Sequence, residues 1–172
     1  MHNFLKVMIL TLSILMVPLP VLANWKFTKW GMTKADLQKA APIKLKSGRE
    51  CPVNNSNTPG ALQVEFSSSV KVGSMNFIAC YLFRNSKLHS INLFSRDVDA
   101  KAVVNGLSQK YGVPEINRNL QEIGIITYKW DKFKETIEFS DSSHSKVKIL
   151  YPYVISYTTK NGSNESAVRD KL

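Results

Sequence analysis

Apolar residues recur in this chain at two periods, and the switches between them mark out its elements. From Asp97 to Gly112 they fall at Ala100, Val103, Val104, Leu107 and Tyr111. These are the i, i+3, i+4, i+7 and i+11 positions of one helix face. Asp97 is placed to cap the N-terminus, since its carboxylate can accept from backbone N–H groups two or three residues on, and Asp99 adds negative charge to the first turn. Lys110 suits the last turn, Gly112 can take the conformation that closes a helix, and Pro114 cannot continue one. Gly106 costs such a helix about 1 kcal/mol against alanine, so it is read as a close approach to a sheet.

On either side of this helix the period is two, that of half-buried strands. Leu62, Val64 and Phe66 alternate with Gln63 and Glu65. Met75 to Phe83 is apolar on both faces, as in a central strand. Arg84 to Lys87 turns the chain into Leu88 to Ser95, with Ile91 and Leu93 on the same face as His89. Beyond the helix, Ile123 to Trp130 places Ile126, Tyr128 and Trp130 on one face, and Thr136 to Phe139 points Ile137 and Phe139 inward. After a turn at Asp141 to His144, Lys146 to Tyr153 places Val147, Ile149 and Tyr151 inward. A first helix of about two turns follows Thr33, which forms a loose capping box with Asp36, and Pro42 stops it. Trp25, Phe27 and Trp30 are expected to staple the preceding segment to the core, and Arg49 to Gly60 reads as loop. The expected fold is α+β, two helices packed on an antiparallel sheet in the order α-β-β-β-α-β-β-β.

Residues 1–23 read as a cleaved signal peptide. His2 and Lys6 lead a largely apolar run from Val7 to Val17, Pro18 and Pro20 follow, and Val21-Leu22-Ala23 suits cleavage after Ala23. The run is shorter than the ~20 residues of a spanning helix, no second segment is long enough to span, and position 24 is not the cysteine of a lipid-anchored protein. Residues 24–156 are expected to form one domain, and 157–172 a polar, disordered tail. Cys51 and Cys80, the only cysteines, are expected to pair in an oxidising compartment. The expected location is therefore periplasmic or secreted.

Charge narrows the partners. The chain carries 23 Lys and Arg against 13 Asp and Glu, a net charge of +10. The balance favours anionic partners, such as acidic protein faces, lipid head groups or polysaccharide phosphates, and export argues against nucleic acid. Metal sites need clustered ligands, whereas His89 and His144 stand far apart, so neither metal nor cofactor is expected. Asp141, Ser142, Ser143 and His144 offer triad residue types, but adjacent turn residues do not converge as a triad must. Nothing in the sequence pairs Glu65 with Glu138 as an acid and base. The one constellation is basic: Lys129, Lys132, Lys134, Lys146 and Lys148 would gather on one sheet face by antiparallel pairing, with Trp130, Tyr151 and Tyr153 as aromatic anchors.

The strings W-G-M-T-x-x-D-L (Trp30 to Leu37), Y-L-F with N-S-K-L (Tyr81 to Leu88) and L-x-x-K-Y-G-V-P (Leu107 to Pro114) resemble small exported bacterial proteins. Their helix-plus-strands units are similar to those of the β-lactamase inhibitor protein and of the small lipoprotein of the outer-membrane β-barrel assembly machinery. The role of those exported proteins is unassigned and no contact residue is carried over from them. The expected function is a soluble binding module that acts by protein contact, such as an inhibitor, an immunity-type protein or an envelope accessory factor. Its expected partner is an acidic protein in the cell envelope, with contact to an anionic envelope surface as a second expectation. A small envelope hydrolase and a structural subunit of an envelope complex are the alternatives.

Overall fold

The two-residue alternation resolves into a single antiparallel sheet. The computed structural model describes residues 25–160 apart from positions 54, 56, 57 and 119, so the expected signal peptide and most of the expected tail lie outside the described residues. The strands are β1 (Lys46–Ser47), β2 (Gln63–Val72), β3 (Met75–Arg84), β4 (Lys87–Ser95), β5 (Glu115–Asn117), β6 (Ile126–Asp131), β7 (Glu135–Asp141) and β8 (Tyr153–Thr159). They are arranged in the order β1-β2-β3-β4-β8-β7-β6-β5. Helix α1 (Lys34–Ala40) precedes them and α2 (Ala100–Tyr111) divides them. The α+β class therefore holds, and the expected order gains a short strand before each run of three. Both additions are exposed on each face, so they carry no apolar alternation to betray them. As the two edges of the sheet, they are short enough to offer little template for pairing with another chain.

One face of the sheet is sealed by α2 and the N-terminal segment. Val103, Leu107 and Tyr111 of α2 join Tyr81, Phe83, Ile91, Leu93, Trp130, Ile137, Phe139 and Ile155 in one core. Trp25 stands against Tyr81 and Tyr157, and Phe27 against Tyr81, with ring centroids 6.3 to 6.5 Å apart. Backbone bonds from Gly31 to Leu88 and from Leu88 to Met32 fasten this segment to the start of β4. The stapling role expected of these aromatics is thus realised. The capping box at α1 is realised too: Thr33 Oγ1 accepts from the Asp36 amide at 3.2 Å, and Asp36 Oδ2 accepts from the Thr33 amide at 3.0 Å.

The other face is covered over only half its width. Cys51 and Cys80 are joined, as expected, and the disulfide holds the segment around Val53 and Leu62 over Val64, Leu82 and Phe94. The bond closes a separation of 29 residues, worth roughly 3.5 kcal/mol in the chain-entropy account. Beyond it, on β6, β7 and β8, the same face presents Thr127, Lys129, Thr136, Glu138, Ser140, Ser156 and Thr158, all partly exposed. Among the described residues no helix is long and apolar enough to cross a membrane.

Three expectations need correction. The last strand is not Lys146 to Tyr153 but Tyr153–Thr159, which takes in residues 157–159 of the expected tail. Val147 is 71% exposed and Leu150 61%, while Ile155, Tyr157 and Thr159 are buried. The tail reading failed because Ser156 and Thr158 fall on the open face, which gives an interior strand a polar sequence. The helix cap is Asp99, whose Oδ1 accepts from the Ala102 amide at 3.1 Å, not Asp97. Val98 is buried in the core ahead of the helix, so helical turns start only after it. Gly106 is exposed, and a Cβ built on it would meet nothing within 4 Å, so it marks no approach to the sheet. Gly106→Ala should accordingly stabilise the protein by about 0.5–1 kcal/mol, read as a higher urea midpoint with unchanged slope. A neutral or destabilising effect would contradict the open environment.

Candidate binding site

The residues expected to form a basic and aromatic sheet face are distributed over three places. Lys129 lies on the open face of β6, opposite Glu115 on one neighbouring strand and Glu138 on the other, so the nearest cross-strand charges oppose its own. Trp130 points to the sealed face, 1% exposed, where its Nε1 donates to the Gly112 carbonyl at 2.8 Å. Lys132 and Lys134 are exposed on the turn between β6 and β7. Lys146 and Lys148 stand in the loop between β7 and β8, at the other end of the strands. The seven residues of β7 separate the two pairs, roughly 20 Å at the rise of a strand. Tyr153 packs from the sealed side, and Tyr151 against the opposite cluster. The expected face depended on a strand at 146–153, and without that strand its lysines are not gathered.

Tyr151 nevertheless belongs to a built feature. A groove of about 910 Å³ opens where the β2–β3 hairpin meets the segment leading from β4 into α2. Arg96 lies over the Tyr151 ring, its Cζ 4.9 Å from the centroid, and its Nη2 donates to the Tyr151 hydroxyl at 3.3 Å. Tyr151 in turn meets Phe94 edge to face, with centroids 6.2 Å apart and planes at 74°. Met75 and Ile78 add apolar lining, and Lys71, Asn76 and Asp97 add polar groups. Ser95 Oγ donates to the Asn76 carbonyl at 2.8 Å, which ties β4 to the start of β3 at this point. An arginine on a tyrosine above a buried phenylalanine is the side-chain set that dominates binding energy at protein interfaces. Arg96 carries one local signal, a cation immediately after an apolar strand, because its partner Tyr151 comes from the connection before β8, 55 residues further on.

The groups weighed for catalysis serve elsewhere. Asp141 Oδ1 accepts from the Ser143 amide and hydroxyl, at 2.9 and 2.6 Å, and so locks a turn. Glu65 pairs with Lys34, and four strand spacings divide β2 from β7 and Glu138, about 19 Å. Among the described residues no three His, Cys, Asp or Glu side chains group closely enough to hold a metal ion. Comparison with protein-family models, with curated proteins and with solved structures finds no match for this chain.

Two buried titratable groups were not singled out by pattern. Glu135 is 1% exposed at the start of β7. Its Oε2 accepts from Trp30 Nε1 at 3.1 Å, while Oε1 has no hydrogen-bond partner among the described residues. Burial raises its carboxyl above 4.5, against the opposing effects of the Trp30 bond and the Lys110 charge. Tyr157 is pushed up by burial first, then by Tyr111 and Glu135. His89 is held below 6.5 by burial and by the Arg84 charge. The two pH effects have opposite signs. Glu135 ionises more readily in the unfolded chain, so its contribution to stability is full below pH 4.5 and is lost as pH rises through the folded value. His89 protonates more readily in the unfolded chain, so its contribution is full above pH 6.5 and is lost as pH falls through the folded value. Glu135→Gln keeps an acceptor for Trp30 without a charge to bury. The variant should have a higher urea midpoint than the parent at pH 8, and the gap should shrink toward pH 4; a pH-independent gap would show that the carboxyl is not buried as described.

Proposed function

We propose that this protein is a non-catalytic binding module of the cell envelope that holds an acidic protein partner in the Arg96–Tyr151–Phe94 groove. The observation that carries the reading is the stack itself. Arg96 is exposed, yet its guanidinium is oriented by the ring beneath it and the hydroxyl beside it, so little freedom is lost when a partner carboxylate meets its outer edge. Met75 and Ile78, both partly exposed, add apolar area to the same groove, the mixed character that interface anchors require. Of the two acidic groups on the groove wall, Asp97 and Asp99, the second is occupied as the cap of α2. The net charge of +10 favours encounter with an acidic surface. Export through the segment at 1–23, with cleavage near Ala23, and a periplasmic or secreted location belong to the same proposal, and the Cys51–Cys80 bond supports an oxidising compartment.

The test is capture from an envelope extract at low salt, followed by titration of the recovered protein against purified variants. One acidic protein should be retained in stoichiometric amount. Tyr151→Ala should weaken its binding about tenfold or more and Arg96→Glu further still, with circular dichroism and thermal midpoint close to the parent. Retention of nothing, or of a partner that ignores both substitutions, would overturn the groove as the site.

A further inference from the structure

A second exposed feature stands at the far end of the sheet from the groove. Phe133, on the β6–β7 turn, is 92% exposed, and Val113, just after α2, is 93% exposed. Both stand at the same end of the sheet: Glu115, where β5 begins, pairs with Lys129, Val113 precedes that start by two residues, and the turn follows Asp131, two residues after Lys129. The tip is held firmly. The Lys132 amide donates to the Glu135 carbonyl at 2.9 Å, the Lys160 amide to the Lys134 carbonyl at 3.0 Å, and Trp130 Nε1 to the Gly112 carbonyl beside Val113. Large apolar side chains presented this fully gain nothing for the fold, and they are surrounded by cations. Lys132 and Lys134 flank Phe133 in the chain, and Lys110 lies over the Tyr111 ring in the last turn of α2. Among the described residues none of these three has a carboxylate within ion-pair distance. Of the nearby acids, Asp131 pairs with Lys160, Glu135 is buried beneath the turn, and the exposed Glu115 lies opposite Lys129.

We infer that this tip is a contact site for an anionic lipid surface, into which Phe133 and Val113 insert while Lys110, Lys132 and Lys134 meet the head-group phosphates. Three observations favour lipid over protein. The cations here are lysines without arginine, and protein interfaces are depleted in lysine and enriched in arginine; a head-group layer asks for charge without fixed geometry. The apolar residues project from a turn instead of lying in a flat patch, so they reach into the boundary between head groups and acyl chains. Lys132 and Lys134 are exposed on the turn itself, whereas the sheet's own Lys129 has an acid opposite it on each neighbouring strand. The site is separate from the groove and stands or falls independently of it.

The experiment is co-sedimentation of the disulfide-bonded protein with vesicles of phosphatidylcholine, with and without phosphatidylserine. Binding is expected only to the mixed vesicles and should fall as salt rises. Phe133→Ser should weaken it on the order of tenfold, and Lys132→Gln and Lys134→Gln about fivefold each. Val113→Ser provides an independent second test of insertion, and all four positions are exposed enough to leave the thermal midpoint unchanged. Tyr151→Ala should bind vesicles like the parent. No binding to mixed vesicles at low salt, equal binding to phosphatidylcholine alone, or undiminished binding by Phe133→Ser and Val113→Ser would overturn the inference. It would also be overturned if Phe133→Ser lost an acidic protein from an envelope extract while the parent ignored vesicles.

Discussion

The structure depends on one constraint, that a single face of an eight-stranded sheet be kept dry. Tyr81, with no exposed surface at the middle of β3, receives Trp25 and Phe27 from the N-terminal segment, and α2 closes the remainder with its three buried side chains. Because side chains alternate along a strand, sealing one face dictates what the other carries. Over β2 to β4 that other face is also apolar and is covered by the disulfide-held segment. Over β6 to β8 it carries mainly threonine, serine and the opposite charges of Lys129 and Glu138, with Val154 packed against the disulfide-held cluster. Among the described residues Glu135 is the one carboxylate buried on the dry face, where Trp30 meets one of its oxygens.

How much of this was legible follows from what each residue reveals locally. The stripe of α2 was readable because helical period, last-turn lysine and closing glycine agree. Its start was not, since Asp97 and Asp99 are equally good caps in sequence, and only the burial of Val98 separates them. The pattern of Ile137 and Phe139 was legible; Glu135, on the same face of the same strand, was not, because a glutamate next to a turn has the composition of a solvated site. Val147, Ile149 and Tyr151 alternate well enough to imitate a strand, while the true strand hides behind serine and threonine. The candidate site suffered most from this exchange, since a face that needs two adjacent strands disappears when one of them moves. Tyr151 was the expected anchor that the structure gives a place in the groove, and its partner Arg96 could be found only once the strand ends were assembled.

Both surfaces proposed for binding lie at strand ends and neither on the sheet. That division has a physical basis. The ladder fixes every backbone group and most side-chain directions, so the sheet faces are committed to packing or to mutual compensation, as with Lys129 between its two acids. The connections carry no such obligation, and their side chains are free to remain uncompensated. Here α2 begins beside the groove and ends beside the Phe133 turn, so a rigid element links the two ends of the sheet.

The position of β8 has a consequence in time as well as in space. It pairs with β4 on one side and β7 on the other, and these are the ladders that join the two halves of the sheet. The half ending at β4 is complete in sequence by Ser95, yet its inner edge has no partner until Tyr153–Thr159 arrives. A chain emerging from its N-terminus, from a ribosome or through a narrow channel, therefore holds the β4 edge open from Ser95 onward, gains a second open edge once β7 ends at Asp141, and closes both together when β8 arrives. Assembly is deferred to the last strand, and a chain halted before it keeps two sheets that cannot become one.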